Sequence, residues 1–173
     1  MAISKNTYTM GLLLLAQNCM AGVPLGASVG VGLTSIGSDY GYSLSLTSPC
    51  FNEGRSNLGI QFNQNVLSAL SGNSYRDFNY YMIQANSRNR LHTTENYLLY
   101  LNTGVFHLFS DELTSYPGFG LNYAMGGEFF KTSSGSLYSE LGWNFPFSVK
   151  ANRVQNQAYA RGIAMALGFK FYL

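Results

Sequence analysis

The chain closes on "ARGIAMALGFKFYL", residues 160–173, with a bulky apolar side chain at every second position: Ile163, Met165, Leu167, Phe169, Phe171 and Leu173. Between them stand Gly162, Ala164, Ala166 and Gly168. Alternation of period two marks a strand with two unlike faces.

The same alternation recurs through residues 24–173, interrupted by turn-like clusters, and predicts eight strands. The first, at 25–35, sets Leu25, Ala27, Val29, Val31 and Leu33 against glycines, Ser28 and Thr34. The second, at 39–47, opposes Tyr40, Tyr42, Leu44 and Leu46 to Gly41, Ser43, Ser45 and Thr47. At 57–66, Leu58, Ile60, Phe62 and Val66 face away from Gln61, Asn63 and Asn65. The segment 75–86 is noisier, with Phe78, Tyr80 and Met82 read as its apolar set and Tyr81 on the other side. At 96–109 both faces are apolar, and Asn102 with Gly104 marks the inner one.

The clearest pattern is at 118–130, where Phe119, Leu121, Tyr123, Met125 and Phe129 alternate with glycines, Asn122, Ala124 and Glu128. At 136–147, Leu137, Leu141, Trp143, Phe145 and Phe147 alternate with Tyr138, Glu140, Gly142 and Asn144. The stretch at 160–173 is the eighth. Short polar links such as "KTSSG" at 131–135 join the strands, and no linker divides them, so a single up-and-down domain is expected.

Eight alternating strands fit a soluble barrel with a charged exterior or a membrane barrel with a bulky apolar one. Charge placement separates them. Asp77, Glu128 and Glu140 are all read on the non-bulky face, which is otherwise glycine, serine, alanine and amides. Arg76 and Arg161 share the bulky face, near strand ends where an arginine reaches headgroups. Aromatic residues gather in two bands, Tyr40, Tyr42, Phe145, Phe147 and Tyr159 at one end and Phe129, Phe169 and Phe171 at the other. Such bands mark the two interfaces of a membrane barrel. The expected fold is therefore all-β, an eight-stranded antiparallel up-and-down transmembrane β-barrel.

Composition agrees. Charged residues make up 10% of the 173 residues, against roughly 25% in an ordinary soluble domain. Net charge is +2 with no basic stripe, so nucleic acid is not an expected partner. No apolar run approaches the roughly 18 residues of a membrane-spanning helix. The longest, in "MGLLLLA" at 10–16, follows Lys5 and precedes "CMA" at 19–21, which reads as a signal peptide over 1–21 and a barrel domain over 22–173. The alternative is that these residues remain as a strand, a plug or a tail, in which case Cys19 and Cys50 could pair.

With this pattern the sequence resembles the small eight-stranded outer-membrane barrels of Gram-negative bacteria, the group of the outer-membrane protein A transmembrane domain and outer-membrane protein X. The resemblance covers residues 24–173 and includes "LGFKFYL", similar to the C-terminal signal read by the barrel-insertion machinery, although Leu173 stands where that signal usually ends in Phe or Trp. It implies the bacterial outer membrane, chain ends in the periplasm, and external links near 36–39, 67–74, 110–117 and 148–157. Links near 48–56, 87–95 and 131–135 would face inward. Arg76, Arg161, Lys150 and Arg153 then lie at the outer rim as candidates to pair with lipopolysaccharide phosphates, or simply to snorkel.

Inside, Gln61, Asn63, Tyr81, Tyr100, Tyr138 and Glu140 are expected to line the lumen, with Glu128, Glu140 and Lys170 forming a polar cluster. Two buried carboxylates need a cation nearby, so this cluster reads first as a structural lock. Small residues on the first and last strands leave either an interleaved packing or a cavity for a slender molecule. His107 and Ser110 in "HLFS" are spaced so that they cannot share a strand face, and no metal or cofactor motif is present. The reading is a non-enzymatic structural or surface-interaction protein; the alternatives are a narrow conduit or binder for slender hydrophobic ligands and, last, a lipid A-modifying enzyme. Outer-membrane lipids are its expected surroundings. Oligomeric state is not legible.

Overall fold

In a computed structural model, residues 26–71, 74–110, 118–147 and 160–173 are described. The segment 1–21, Cys19, Lys150, Arg153 and Tyr159 therefore lie outside the described residues. Eight strands form: β1 (Ser28–Ile36), β2 (Asp39–Thr47), β3 (Ser56–Ser71), β4 (Ser74–Thr93), β5 (Tyr97–Phe109), β6 (Gly118–Phe129), β7 (Gly135–Phe147) and β8 (Gly162–Tyr172). Each pairs antiparallel with the next, and β1 pairs with β8 from Ser28↔Tyr172 to Ile36↔Ala164, closing the barrel. Closure removes every sheet edge inside the wall, the requirement for a sheet in hydrocarbon.

The wall is apolar outside. Leu33, Leu44, Ile60, Leu121, Met125, Leu141, Met165 and Leu167 are all exposed, as are the aromatic rings of Tyr40, Tyr42, Phe145 and Phe147 at one end and Phe169 and Phe171 at the other. Asn63, Asn65, Gln84, Asn102, Asn122, Asn144, Glu128 and Lys170 are buried inside. Water would drive such an exterior to aggregate; a bilayer solvates it.

β4 departs from the sequence reading in phase and length. Phe78, Tyr80 and Met82 point inward and join Ile36, Leu67, Phe106, Leu108 and Ala160 in an apolar plug beside the β1–β2 turn, at the end of the lumen that the resemblance leads one to expect outside, its outer end. Tyr81 is correspondingly not a lumen residue; it faces outward, stacked between Phe62 and Phe109 with ring centroids 5.8 and 5.4 Å away. Asp77 also takes the outward side, exposed, and accepts a hydrogen bond from Ser68 Oγ at 2.5 Å. The physical reason is that alternation assigns residues to a common face without saying which face it is. With Tyr81 and Ile83 on the other side, both faces of β4 are bulky, and the outer lumen has space that side chains must fill.

β4 also runs on to Thr93, through most of the expected inner link at 87–95, with a β-bulge between Arg90 and His92. At its outer end the β3–β4 hairpin outgrows the wall. The ladder from β2 to β3 ends at Tyr40↔Val66 and that from β4 to β5 at Tyr81↔Phe109, while β3 and β4 stay paired to Ser71↔Ser74. The expected link at 67–74 is thus largely strand.

Candidate functional site

Inward parity and register bring four charged side chains to one level of the lumen. Arg88 lies on β4, Glu128 on β6, Glu140 on β7 and Lys170 on β8. Glu140 stands opposite Gly126 across β6–β7, and Lys170 opposite Ser136 across β7–β8. Arg88 Nη2 donates to Glu140 Oε1 at 2.9 Å, and Arg88 Nη1 to Glu128 Oε1 at 3.3 Å. Lys170 Nζ ion-pairs with Glu128 Oε1. Two cations thus face two carboxylates, and the layer is neutral.

Neutral donors satisfy the remaining oxygens, as buried carboxylates require. Tyr100 donates its hydroxyl to Glu140 Oε1 at 2.8 Å, and Tyr172 donates to Glu128 Oε2 at 2.7 Å. Asn102 Nδ2 reaches both Glu140 oxygens at 3.4 Å. The Arg88 guanidinium also lies 4.1 Å from the centroid of the Tyr100 ring, a cation–π contact.

Large rings occupy the space left by small residues. A Cβ on Gly126 would lie 2.5 Å from the Tyr100 ring, and one on Gly32 would lie 2.5 Å from the Tyr138 hydroxyl. The void beside β1 and β8, lined by Thr34, Asn63, Gln84, Asn122, Glu140 and Ala166, has a volume of about 40 Å³. A second, beside Asn57, Asn86, Arg88 and Asn102, has about 10 Å³. These two lumen voids hold a few water molecules at most and admit no acyl chain. The lipid-facing side of the same wall, by contrast, carries an open apolar groove of about 540 Å³ along Leu33, Met125, Leu141, Met165 and Leu167.

Above the ionic layer and the amides stands the apolar plug, tied off by Asp39. Asp39 Oδ2 accepts from the Tyr80 hydroxyl at 2.8 Å and from the Ala160 backbone N–H at 3.1 Å. This buried carboxylate joins the β1–β2 turn, β4 and the entry to β8.

The sequence reading named Glu128, Glu140 and Lys170 but missed Arg88, Tyr172 and Asp39. Arg88 sat in the expected link; the run Gln84, Asn86, Arg88 at alternate positions was the available signal. Arg76 and Arg161 are both exposed near the outer ends of β4 and β8, Arg76 sharing the parity of the inward Phe78 and not that of the lipid face. His107 and Ser110 diverge: the imidazole packs outward with its ring centroid 4.5 Å from that of Phe119, while Ser110 Oγ donates to the Asn79 carbonyl at 2.6 Å.

A closed antiparallel barrel with an apolar exterior, two aromatic bands and a paired ionic lumen defines the class: a small transmembrane β-barrel of the bacterial outer-membrane type. Its shape is similar to the N-terminal β-barrel domain of Pseudomonas aeruginosa OprF, with a TM-score of 0.59 and 14% identity over 84% of this chain and 95% of that one. It is also similar to the Yersinia pestis outer membrane protein Ail in a phospholipid bilayer nanodisc, with a TM-score of 0.53 and 15% identity over 84% of this chain and 97% of that one. These likenesses are ones of fold. No protein-family model matches the sequence, and no curated protein matches it either.

Proposed function

We propose that this barrel is a non-enzymatic protein of the outer membrane that works at the cell surface, with its chain ends in the periplasm and its lumen sealed. The observation that carries the reading is the β3–β4 hairpin, which continues beyond its neighbours and presents Tyr75, Arg76 and Asp77 to solvent. A filled lumen supports the same view, because transport would need the plug, the amides and the ionic layer all to yield.

Arg76, Arg161, Lys150 and Arg153 are proposed to pair with lipopolysaccharide phosphates, whose oxygens suit arginine's planar fork. Phe169 and Phe171, both on the outer face of β8, are proposed to present the insertion signal to the assembly machinery.

Cells displaying the wild type and a variant with residues 68–77 replaced by a two-residue Asn-Gly turn provide the functional test. The reading expects equal amounts of folded barrel and a loss of surface adhesion in the variant; equal adhesion would contradict it. For the lipid contacts, reconstitution with and without phosphorylated lipid A is decisive. Arg161→Ala should lower the unfolding temperature only where the phosphates are present, and the same change in both membranes would reject the pairing.

A further inference from the structure

On the lipid face of β6 and β7 the bulky row is broken once in each strand. Every outward position of β6 from Phe119 to Phe129 is bulky except Gly127, and every outward position of β7 from Leu137 to Phe147 except Ser139. The two breaks are register partners, Gly127↔Ser139. They belong to one row across five strands, continued by Leu99↔Gly127 on one side and by Ser139↔Leu167 and Leu33↔Leu167 on the other. That row is the floor of the open groove of about 540 Å³.

Both sides of the groove are formed by named side chains. On the next outward row Met125 pairs with Leu141 and Leu141 with Met165, and all three are exposed. On the other side the Phe129 ring folds over Gly127: a Cβ there would lie 2.6 Å from the ring Cζ and 3.3 Å from Leu99 Cδ2. Neighbouring strands are about 4.8 Å apart, so a row across five of them runs about 19 Å. Strand tilt inclines that row by about 40° to the membrane plane. The hydrocarbon of one leaflet is about 15 Å deep, half of the roughly 30 Å core, so the groove has the reach of a single acyl chain. It opens onto the wall that already meets lipid, and a groove left empty there forfeits the dispersion contacts of its lining. A second copy of the barrel is a poor occupant, because an isologous contact sets groove against groove and enlarges the void.

We propose that this groove is a binding site for one acyl chain of a membrane phospholipid, which lies along the row from Leu99 to Leu33 as a resident ligand of the wall. The chain packs over Ser139 between Leu141 and Leu167, in the place that a bulky side chain takes at the other outward positions of β7. Recognition is of the chain and not of the headgroup, since the exposed lining is apolar. Leu99 stands two residues after the start of β5 at Tyr97, so the chain enters near the band of Phe129 and Phe169. With the chain ends in the periplasm, as proposed above, that end belongs to the inner leaflet. The leaflet rests on that orientation; the groove and its occupant do not.

The test is native mass spectrometry of the whole barrel, released by graded collisional activation from nanodiscs that mix phosphatidylethanolamine and phosphatidylglycerol with the same chains. Wild-type protein should keep one phospholipid after the others are stripped, with no preference between the two headgroups. Ser139→Leu plants a bulky side chain in the groove and should cut the retained fraction at least fivefold, whereas Ser139→Ala should leave it unchanged. Ile60→Phe adds the same kind of bulk to the lipid face of β3, away from the groove, and should also leave it unchanged. Leu167→Trp is a second filling variant, with the same expected loss, should Ser139→Leu fail to refold. Equal retention in wild type and the filling variants, no phospholipid surviving on the wild type, retention that follows the headgroup, or a dimer that Ser139→Leu dissolves would each overturn the site.

Discussion

Arg88 shows how much one side chain decides in a narrow lumen. Its guanidinium touches both carboxylates and the face of Tyr100, so removing it leaves two buried anions with only Lys170 between them. Breaking a buried pair from one side costs about 3–5 kcal/mol. Arg88→Met should therefore lower stability by about that much in urea unfolding from lipid vesicles, and Arg88→Met with Glu140→Leu by less than the two single changes together. An additive pair would mean that the two side chains do not interact. Tyr100 offers a finer comparison. Tyr100→Phe removes one hydrogen bond to a carboxylate, at about 1.5–3 kcal/mol, whereas Tyr100→Ala also empties the space over Gly126 and should cost more. Equal losses would contradict the packing of that ring against the glycine. Glu128, Glu140 and Lys170 were legible because each stands at a polar position of a clean apolar–polar alternation. Arg88 was not, because in "NSRNR" at 86–90 polar residues occupy both faces and mimic a turn.

At the scale of the strands, the alternation located all eight and fixed the lipid-facing side of those whose other face is small or polar. β4 is the instructive exception. Its two faces are Phe78, Tyr80, Met82 and Tyr81, Ile83, Ala85, and bulk alone does not rank them. What settles the phase is the width of the barrel: with Gly41, Gly120 and Ala124 on neighbouring inward positions, the outer lumen stays empty unless β4 and β5 fill it. The inverted phase has a direct check. Spin labels at Tyr81 and Ile83 should be broadened by lipid-soluble oxygen, and labels at Tyr80 and Met82 should not; the opposite pattern would restore the reading from sequence. On β6, where the alternation is cleanest, Met125→Arg places a cation on the lipid face and should cost about 2–4 kcal/mol in a bilayer. No loss on refolding into vesicles would contradict the orientation of that strand.

The described barrel is a stack of layers inside one apolar sleeve: Asp39 and the apolar plug, the amides, and the four paired charges. Among the described residues the lumen voids of about 40 and 10 Å³ are too small for hydrated ions, so planar bilayers holding the protein should show no conductance steps, while steady openings would contradict the proposed seal. All of it presumes that the sleeve meets hydrocarbon. Trp143, the chain's single tryptophan, stands on that outer surface with 41% of its area exposed and reports on it without any substitution. The protein folded into vesicles of brominated phospholipid should lose most of its tryptophan fluorescence relative to ordinary vesicles, with emission shifted to the blue. Emission unaffected by bromine, at the wavelength of a water-exposed indole, would contradict the account.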